Sequence, residues 1–285
     1  MFRIVTDGQY VFDVKQFVFN DGSVQIEVVG DVNPMSSHIM IEAVLQNPAD
    51  QMALVMLVDA LRIECPIAEL HCMMPFTPYG RQDAPFCKGQ ANAMKAWANI
   101  VNGLNFVTLT TLDPHSIAVS HFDRCYSIDI CEILSVSDEF HSILHTPDIT
   151  LVSPDAGANK KAHKICKEFG ISKLVRADKA RDLATGAIIE TEVHGDVSGE
   201  TCVIIDDICD GGMTFIKLAE ALRAKGAARV ILFVTHGLFT KGLSVFEGLI
   251  DEIYTTESWP QLGPVDISEG YNGKFVICGK VDKPV

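Results

Sequence analysis

The chain has 285 residues, 48% of them hydrophobic, and carries a formal net charge of −14. That much apolar material fills a full core, and the length suits two ordinary domains or one large one. The acidic balance, with no basic stretch to track a phosphodiester backbone, excludes a nucleic-acid partner; apolar runs such as Met52–Val58 are too short to cross a bilayer, so no membrane partner is expected either. The opening MFRIVTDGQY lacks a basic region followed by an apolar one, so no secretory signal is expected. Nine cysteines without a CxxC pair or regular spacing predict reduced thiols in a cytoplasmic protein, with neither a disulfide nor a zinc site. If the substrates are anions, divalent metal and a few local cations must offset this acidic field.

Residues 2–28 predict short β segments, with turn signals at Asp7-Gly8 and Asn20-Asp21-Gly22. Pro48-Ala-Asp50 then starts a helix through Leu61, with Leu54, Leu57, Val58 and Leu61 at helical spacing. Glu69–Met74 predicts a buried strand that ends in the loop Pro75–Asp83. A second helix is expected over about 90–101, and a strand over Asn105–Thr111 that ends at Asp113-Pro-His115. The cycle restarts with a strand at Asp148–Val152, a tight loop at Ser153–Gly157 and a helix over 159–169 closed by Gly170. Cys202–Ile205 is a strand, Thr214–Ala224 a helix, and Arg229–Val234 a strand running into Thr235-His-Gly237. Alternation in both halves predicts two α/β domains with central, mostly parallel sheets flanked by helices. The polar Ser135–Glu139 sets their boundary, giving an N-terminal domain over 1–135 and a C-terminal domain over 136–285. Ligands of such sheets bind beyond the carboxyl ends of strands, where the unusual loops fall.

The stretch CVIIDDICDGGMTF, residues 202–215, sets three aspartates at the tip of an apolar strand. Backbone amides of Asp210, Gly211, Gly212, Met213 and Thr214, with the positive end of the following helix, form a phosphate cradle. Asp206 and Asp207 would repel a bare phosphate, and make sense if they grip sugar hydroxyls or Mg²⁺ beside it. An ordinary strand-to-helix turn with solvated acids is the plain alternative. In Pro78-Tyr-Gly-Arg-Gln-Asp83 an arginine can fork onto phosphate oxygens, while glutamine and aspartate can bond adenine or ribose edges. His115 ends Thr111-Leu-Asp-Pro-His115, and Asp155 lies in Val152-Ser-Pro-Asp-Ala-Gly157, where an N-cap-like turn would also explain it. Ala177-Asp-Lys-Ala-Arg181 adds a basic pair that is otherwise simply solvated. The remaining histidines show no metal spacing, and Lys160, Lys161, Lys164 and Lys167 make a solvated helix face.

In this order and spacing the segments, with Phe19-Asn-Asp-Gly-Ser23 and Thr235-His-Gly237, resemble the phosphoribosyl-diphosphate (PRPP) synthetase, or ribose-phosphate diphosphokinase, family over about residues 19–260. The resemblance implies a shortened, divergent member with two type I phosphoribosyltransferase-like domains. It further implies Mg²⁺-dependent transfer of the β,γ-diphosphoryl group of ATP to the anomeric hydroxyl of ribose 5-phosphate, giving PRPP and AMP. Phe19, Asp21, Arg81, Gln82, Asp83 and His115 would then serve ATP. Asp155, Asp206, Asp207, Asp210, Gly211, Gly212, Met213 and Thr214 would hold the phosphoribosyl acceptor. His115 and Asp155 would be metal ligands, and Lys179 and Arg181, on a mobile loop, would balance charge on the transferred group. A homo-oligomer, dimer or hexamer, is implied, with the ATP site near a subunit interface.

Three departures from the family pattern matter. Asp210 is followed by Gly-Gly-Met before Thr214, where the family usually reads DTxGT, which opens room for an acceptor substituted on its 5-phosphate, such as ADP-ribose. Ser23 replaces a glutamate in the segment that reaches adenine. Gly270–Cys278 reads as a turn and strand in place of a helix and longer tail, so assembly and allosteric control are not carried over. A phosphoribosyltransferase and a non-catalytic regulatory homologue are the competing readings.

Overall fold

A computed structural model describes residues 2–6, 9–30, 33–115, 117–181, 188–260 and 267–278; the Asp7-Gly8 turn signal lies outside them. The chain divides into two compact units, Met1–Ile128 and Asp129–Val285. The polar stretch at 135–139 lies inside the second unit. There the hydroxyls of Ser135 and Ser137 each donate at 2.8 Å to a carbonyl one turn back, of Cys131 and Ile133, so its polarity belongs to a helix end.

The first unit is built on β1 (Phe2–Thr6), β2 (Gln9–Val18), β3 (Val24–Val29), β4 (His38–Ala43), β5 (Glu69–Met73), β6 (Thr108–Leu112) and β7 (Cys125–Ile128). They form one sheet in the order β3-β2-β1-β4-β5-β6-β7. The strands β4 to β7 run parallel, while β1 to β3 join antiparallel at one edge. Helix α1 (Pro48–Glu64) starts where the Asn47 side chain accepts from the Asp50 amide, and it buries Leu54, Leu57, Val58 and Leu61. Helix α2 (Ala93–Gly103) starts three residues later than expected from 90, because Asn92 is its cap. No strand was expected at His38–Ala43, yet β4 carries fully buried Ile39, Ile41 and Ala43 between β1 and β5.

The second unit opens with α3 (Ile130–Val136) and α4 (Asp138–Leu144), and adds α5 (Asn159–Phe169) and α6 (Met213–Ala224). Its strands are β8 (Ile149–Ser153), β9 (Lys173–Arg181), β10 (Ile188–His194), β11 (Thr201–Cys209), β12 (Arg229–Gly237), β13 (Glu252–Thr256) and β14 (Lys274–Cys278), in the order β10-β9-β8-β11-β12-β13-β14. All pairings are parallel except β10 with β9. Cys202–Ile205 and Val230–Val234 are buried throughout, as central strands covered on both faces require. From β8 the chain crosses to β9 on one side, and from β11 it crosses to β12 on the other. The crevice at the carboxyl ends of β8 and β11 is therefore the topological switch point. No helix among the described residues is long and apolar enough to cross a membrane.

Candidate functional site

At the switch point, register sets Ile204 of β11 beside Val152 of β8. The loop carrying Asp155 and the run from Asp206 therefore leave neighbouring strand ends. Asp207 is buried, and its amide donates to Oδ1 of the half-buried Asp206 at 3.0 Å. Burial first, then the Asp207 carboxylate, pushes the pKa of Asp206 well above the usual carboxylate range; Lys161 on α5 opposes the rise. Lys161 is half-buried, so it does not share the solvated face expected of the α5 lysines, and Lys164 is ion-paired with Asp129 at 2.8 Å. Asp155 makes the turn that its sequence context allowed: its Oδ1 accepts from the Ala158 amide at 3.0 Å.

Beyond Asp207, β11 continues to Cys209, further than the expected end at Ile205. Gly212 then caps α6 with φ +78° and, having no side chain, offers no side-chain cap of its own. The positive end of α6 at the tip of β11 suits an anion. A Cβ at Gly212 would run into the Phe246 ring, so both the backbone and the space demand glycine. Met213, the first helical residue, is 47% exposed, and Thr214 is half-buried behind it. Asp210 is fastened to the loop after β12: its Oδ1 accepts from the Thr240 hydroxyl at 2.7 Å, and its carbonyl from the Thr240 amide at 3.2 Å. A Cβ at Gly211 would stand 3.4 Å from Cε of the exposed Lys241, whose stem thus lies against the cradle. Lys161, Thr240, Lys241 and Phe246 carry no local motif. Parallel pairing of β11 with β12 delivers the last three, and the α5 crossover delivers the first.

Thr235-His-Gly237 is built into the sheet. His236 is buried with Nδ1 2.8 Å from the Ser258 hydroxyl, and the Thr235 carbonyl accepts from the Thr256 and Ser258 hydroxyls at 2.7 and 2.8 Å. Lys179 and Arg181 were expected on a loop and lie instead on β9, opposite Thr191 and Ile188 of β10. Alternation across Ile188–His194 supports this hairpin. Arg176 is the last β9 residue beside β8, so the hairpin carries residues 177–181 past the edge at which the Asp155 loop leaves the sheet. The segment 182–187 lies outside the described residues.

In the first unit, the loop after β5 is tied to β6 and α2. Thr77 and Thr111 share a hydroxyl hydrogen bond of 2.7 Å, the Leu112 amide donates to the Pro75 carbonyl at 3.1 Å, and the Met94 amide donates to the Gln82 carbonyl at 3.2 Å. Tyr79, held at φ +62°, donates its hydroxyl to Gln51 Oε1 at 2.8 Å and sets its ring, tilted by 56°, 6.3 Å from that of Trp97. These ties present Arg81, Gln82 and Asp83 to solvent. His115 is also exposed, and its Cβ lies 3.9 Å from where a Gly80 Cβ would be, so it stands beside this loop at the end of β6. Phe19 and Asp21 lie elsewhere, on the turn of the β2–β3 hairpin, with β1 and β4 between β2 and β5. The Ser23 hydroxyl donates to Asp21 Oδ1 at 2.6 Å and its amide at 2.9 Å, which holds the Asp21 pKa below the usual range. Serine at 23 thus shapes the turn.

The chain is similar to known proteins in sequence and in fold. A family model, the phosphoribosyl synthetase-associated domain, matches residues 182–266. The chain is 31% identical over 229 residues to a ribose-phosphate pyrophosphokinase of Cereibacter sphaeroides, covering 78% of this chain and 66% of that one. A ribose-phosphate pyrophosphokinase of Haemophilus influenzae is 27% identical over 248 residues, covering 85% of this chain and 77% of its own. The solved phosphoribosylpyrophosphate synthetase of Mycobacterium smegmatis superimposes with a TM-score of 0.77 at 20% identity, over 95% of this chain and 87% of its own. The fold is therefore the pair of type I phosphoribosyltransferase-like α/β units that the sequence led us to expect.

Proposed function

The chain belongs to the ribose-phosphate pyrophosphokinase family, and on that premise we propose that it is a diphosphokinase that moves the β,γ-diphosphoryl group of ATP to a phosphoribosyl acceptor. The observation that carries the reading is the switch-point crevice, where Asp155, Asp206, Asp207 and the glycine-capped head of α6 follow two neighbouring strand ends. The cradle of Asp210 to Thr214 binds the acceptor's 5-phosphate, and Asp206 and Asp207 hold ribose hydroxyls. Arg81, Gln82 and Asp83 hold ATP beside His115. The acceptor's anomeric oxygen bonds to the β-phosphorus, the bond from that phosphorus to the α-phosphate oxygen breaks, and AMP leaves with the proton released to solvent. Lys179 and Arg181 offset charge on the transferred group.

The residues fit Mg²⁺. Asp155, Asp206 and Asp207 are hard oxygen donors, and burial together with the neighbouring Asp207 carboxylate makes ionised Asp206 costly, which a cation beside the pair would relieve. Asp155 at the crevice and His115 beside the Arg81 loop would each offer Mg²⁺ a ligand, and the metal would neutralise phosphate oxygens. The exposed, apolar hairpin tip of Phe17, Val18 and Phe19 supports an assembly, a dimer or hexamer, in which it reaches the ATP loop of another copy. All nine cysteines are unpaired, which suits a cytoplasmic enzyme.

The rim of the cradle favours a second reading of the acceptor. The exposed Met213 leaves its side open, and Lys241, with no ion-pair partner among the described residues, supplies a cation beyond the first phosphate. An acceptor whose 5-phosphate carries a further phosphate, such as ADP-ribose, fits that rim. The test offers MgATP with ribose 5-phosphate and ADP-ribose in competition and resolves the products by mass. AMP release without any nucleobase is expected. Its absence would retire the diphosphokinase in favour of a phosphoribosyltransferase or a regulatory homologue. Strong preference for ribose 5-phosphate would retire the substituted acceptor alone.

A further inference from the structure

At the opposite, amino-terminal edge of the first sheet, His38 opens β4, Glu69 opens β5 and Thr108 opens β6. The parallel register sets His38 beside Glu69 and His71 beside Thr108. Glu69 and His71 are two apart on one strand and so share a face. His38 Nδ1 lies 3.4 Å from His71 Nε2 and 3.4 Å from Glu69 Oε2, and the three ligand atoms all lie within 4.8 Å of one another. A tetrahedral ion with bonds of roughly 2.0–2.1 Å holds its ligand atoms about 3.3–3.4 Å apart, so two edges already have the required length. His71 is buried, and its Nδ1 is 2.8 Å from the Thr108 hydroxyl, which orients the ring so that Nε2 faces the cluster. His38 and Glu69 are exposed, which leaves a side open for water as a fourth ligand.

The geometry points to a divalent metal site of the zinc type, formed by His38, Glu69 and His71 and separate from the proposed substrate loops. Two imidazoles and one carboxylate select Zn²⁺ or Co²⁺ over Mg²⁺, which prefers an all-oxygen shell. The ion would clamp β4 to β5 through residues 31 to 33 positions apart, and steady the sheet that carries the Arg81 loop.

The test titrates the metal-free 285-residue chain with Co²⁺ under excess Mg²⁺. One equivalent should give the visible absorption of tetrahedral cobalt without near-ultraviolet sulfur bands, and Zn²⁺ should displace it. His38→Ala and Glu69→Gln, both at exposed positions, should each weaken binding by at least about tenfold. Circular dichroism checks that both variants remain folded. Absence of the absorption in the unsubstituted chain, or its retention at equal affinity in both folded variants, overturns the site; a histidine–histidine hydrogen bond would then account for the geometry.

Discussion

Asp206 and Gly212 show how much a single residue contributes to the proposed acceptor site. The folded-state pKa of Asp206 is raised, so its contribution to stability is fully present below the unfolded carboxylate value and is lost as pH rises through the folded one. Asp206→Asn removes a carboxyl group that is costly to ionise in that crevice. It should therefore raise the urea midpoint at pH 7.5, with the gain vanishing near pH 4, while turnover collapses. Gly212→Ala acts in the opposite sense. It forces a side chain into φ +78° and against Phe246, which should cost about 1–3 kcal/mol in urea unfolding and raise the KM for the acceptor. Lys241→Ala should raise KM for ADP-ribose more than for ribose 5-phosphate; equal changes would show that its ammonium meets only the first phosphate. Asp206 and Gly212 were legible in the DDICDGG run because acids at a strand tip and paired glycines have few other uses. Lys241 was not, since a lone lysine after a strand means nothing until that strand is set beside β11.

At the scale of elements, periodicity located α1, α5, α6 and the strands β5, β6, β8, β11 and β12, because each buries a continuous apolar face. It missed β4, β7, β9, β10 and β13. In β10 polar alternate positions such as Glu190 and Glu192 lower the apolar signal, and all these strands are short or find their pairing partners on other segments. The consequence for the site is direct: Lys179 and Arg181 sit on a paired strand that a local reading took for a loop. Helix ends behaved more predictably. Asp129 caps α3 through a capping box with Glu132 and also pairs with Lys164. Burial tends to raise its pKa, but Lys164 and the Cys131 amide outweigh that and hold it low. Its stabilising contribution is thus present above the unfolded carboxylate pKa and lost as pH falls through the folded one. Asp129→Ala should cost about 1 kcal/mol at pH 7 and progressively less in acid, measured by denaturant midpoints across that range.

For the whole molecule, two units with separate cores predict that unfolding need not be a single transition, and the proposed activity needs loops from both. The hairpin bearing Phe19 and Asp21 lies at an edge of its sheet, away from the Arg81 loop, which motivates a test by complementation. Phe19→Ser and Arg81→Ala should each be nearly inactive alone. Mixed and reassembled, they should recover part of the activity, because one composite site then holds both intact residues. No recovery in a demonstrated mixed oligomer would mean that the hairpin serves its own chain or none. The sequence by itself determined the α/β class, the doubled strand–helix rhythm and the loops rich in acids and glycines, because burial and turn chemistry are written locally. Only the tertiary structure decided which strand ends became neighbours: β8 with β11 at the acceptor crevice, and His38 with Glu69 and His71 at the far edge. Strand pairing joins residues tens of positions apart, and no local pattern of hydrophobicity encodes the partner.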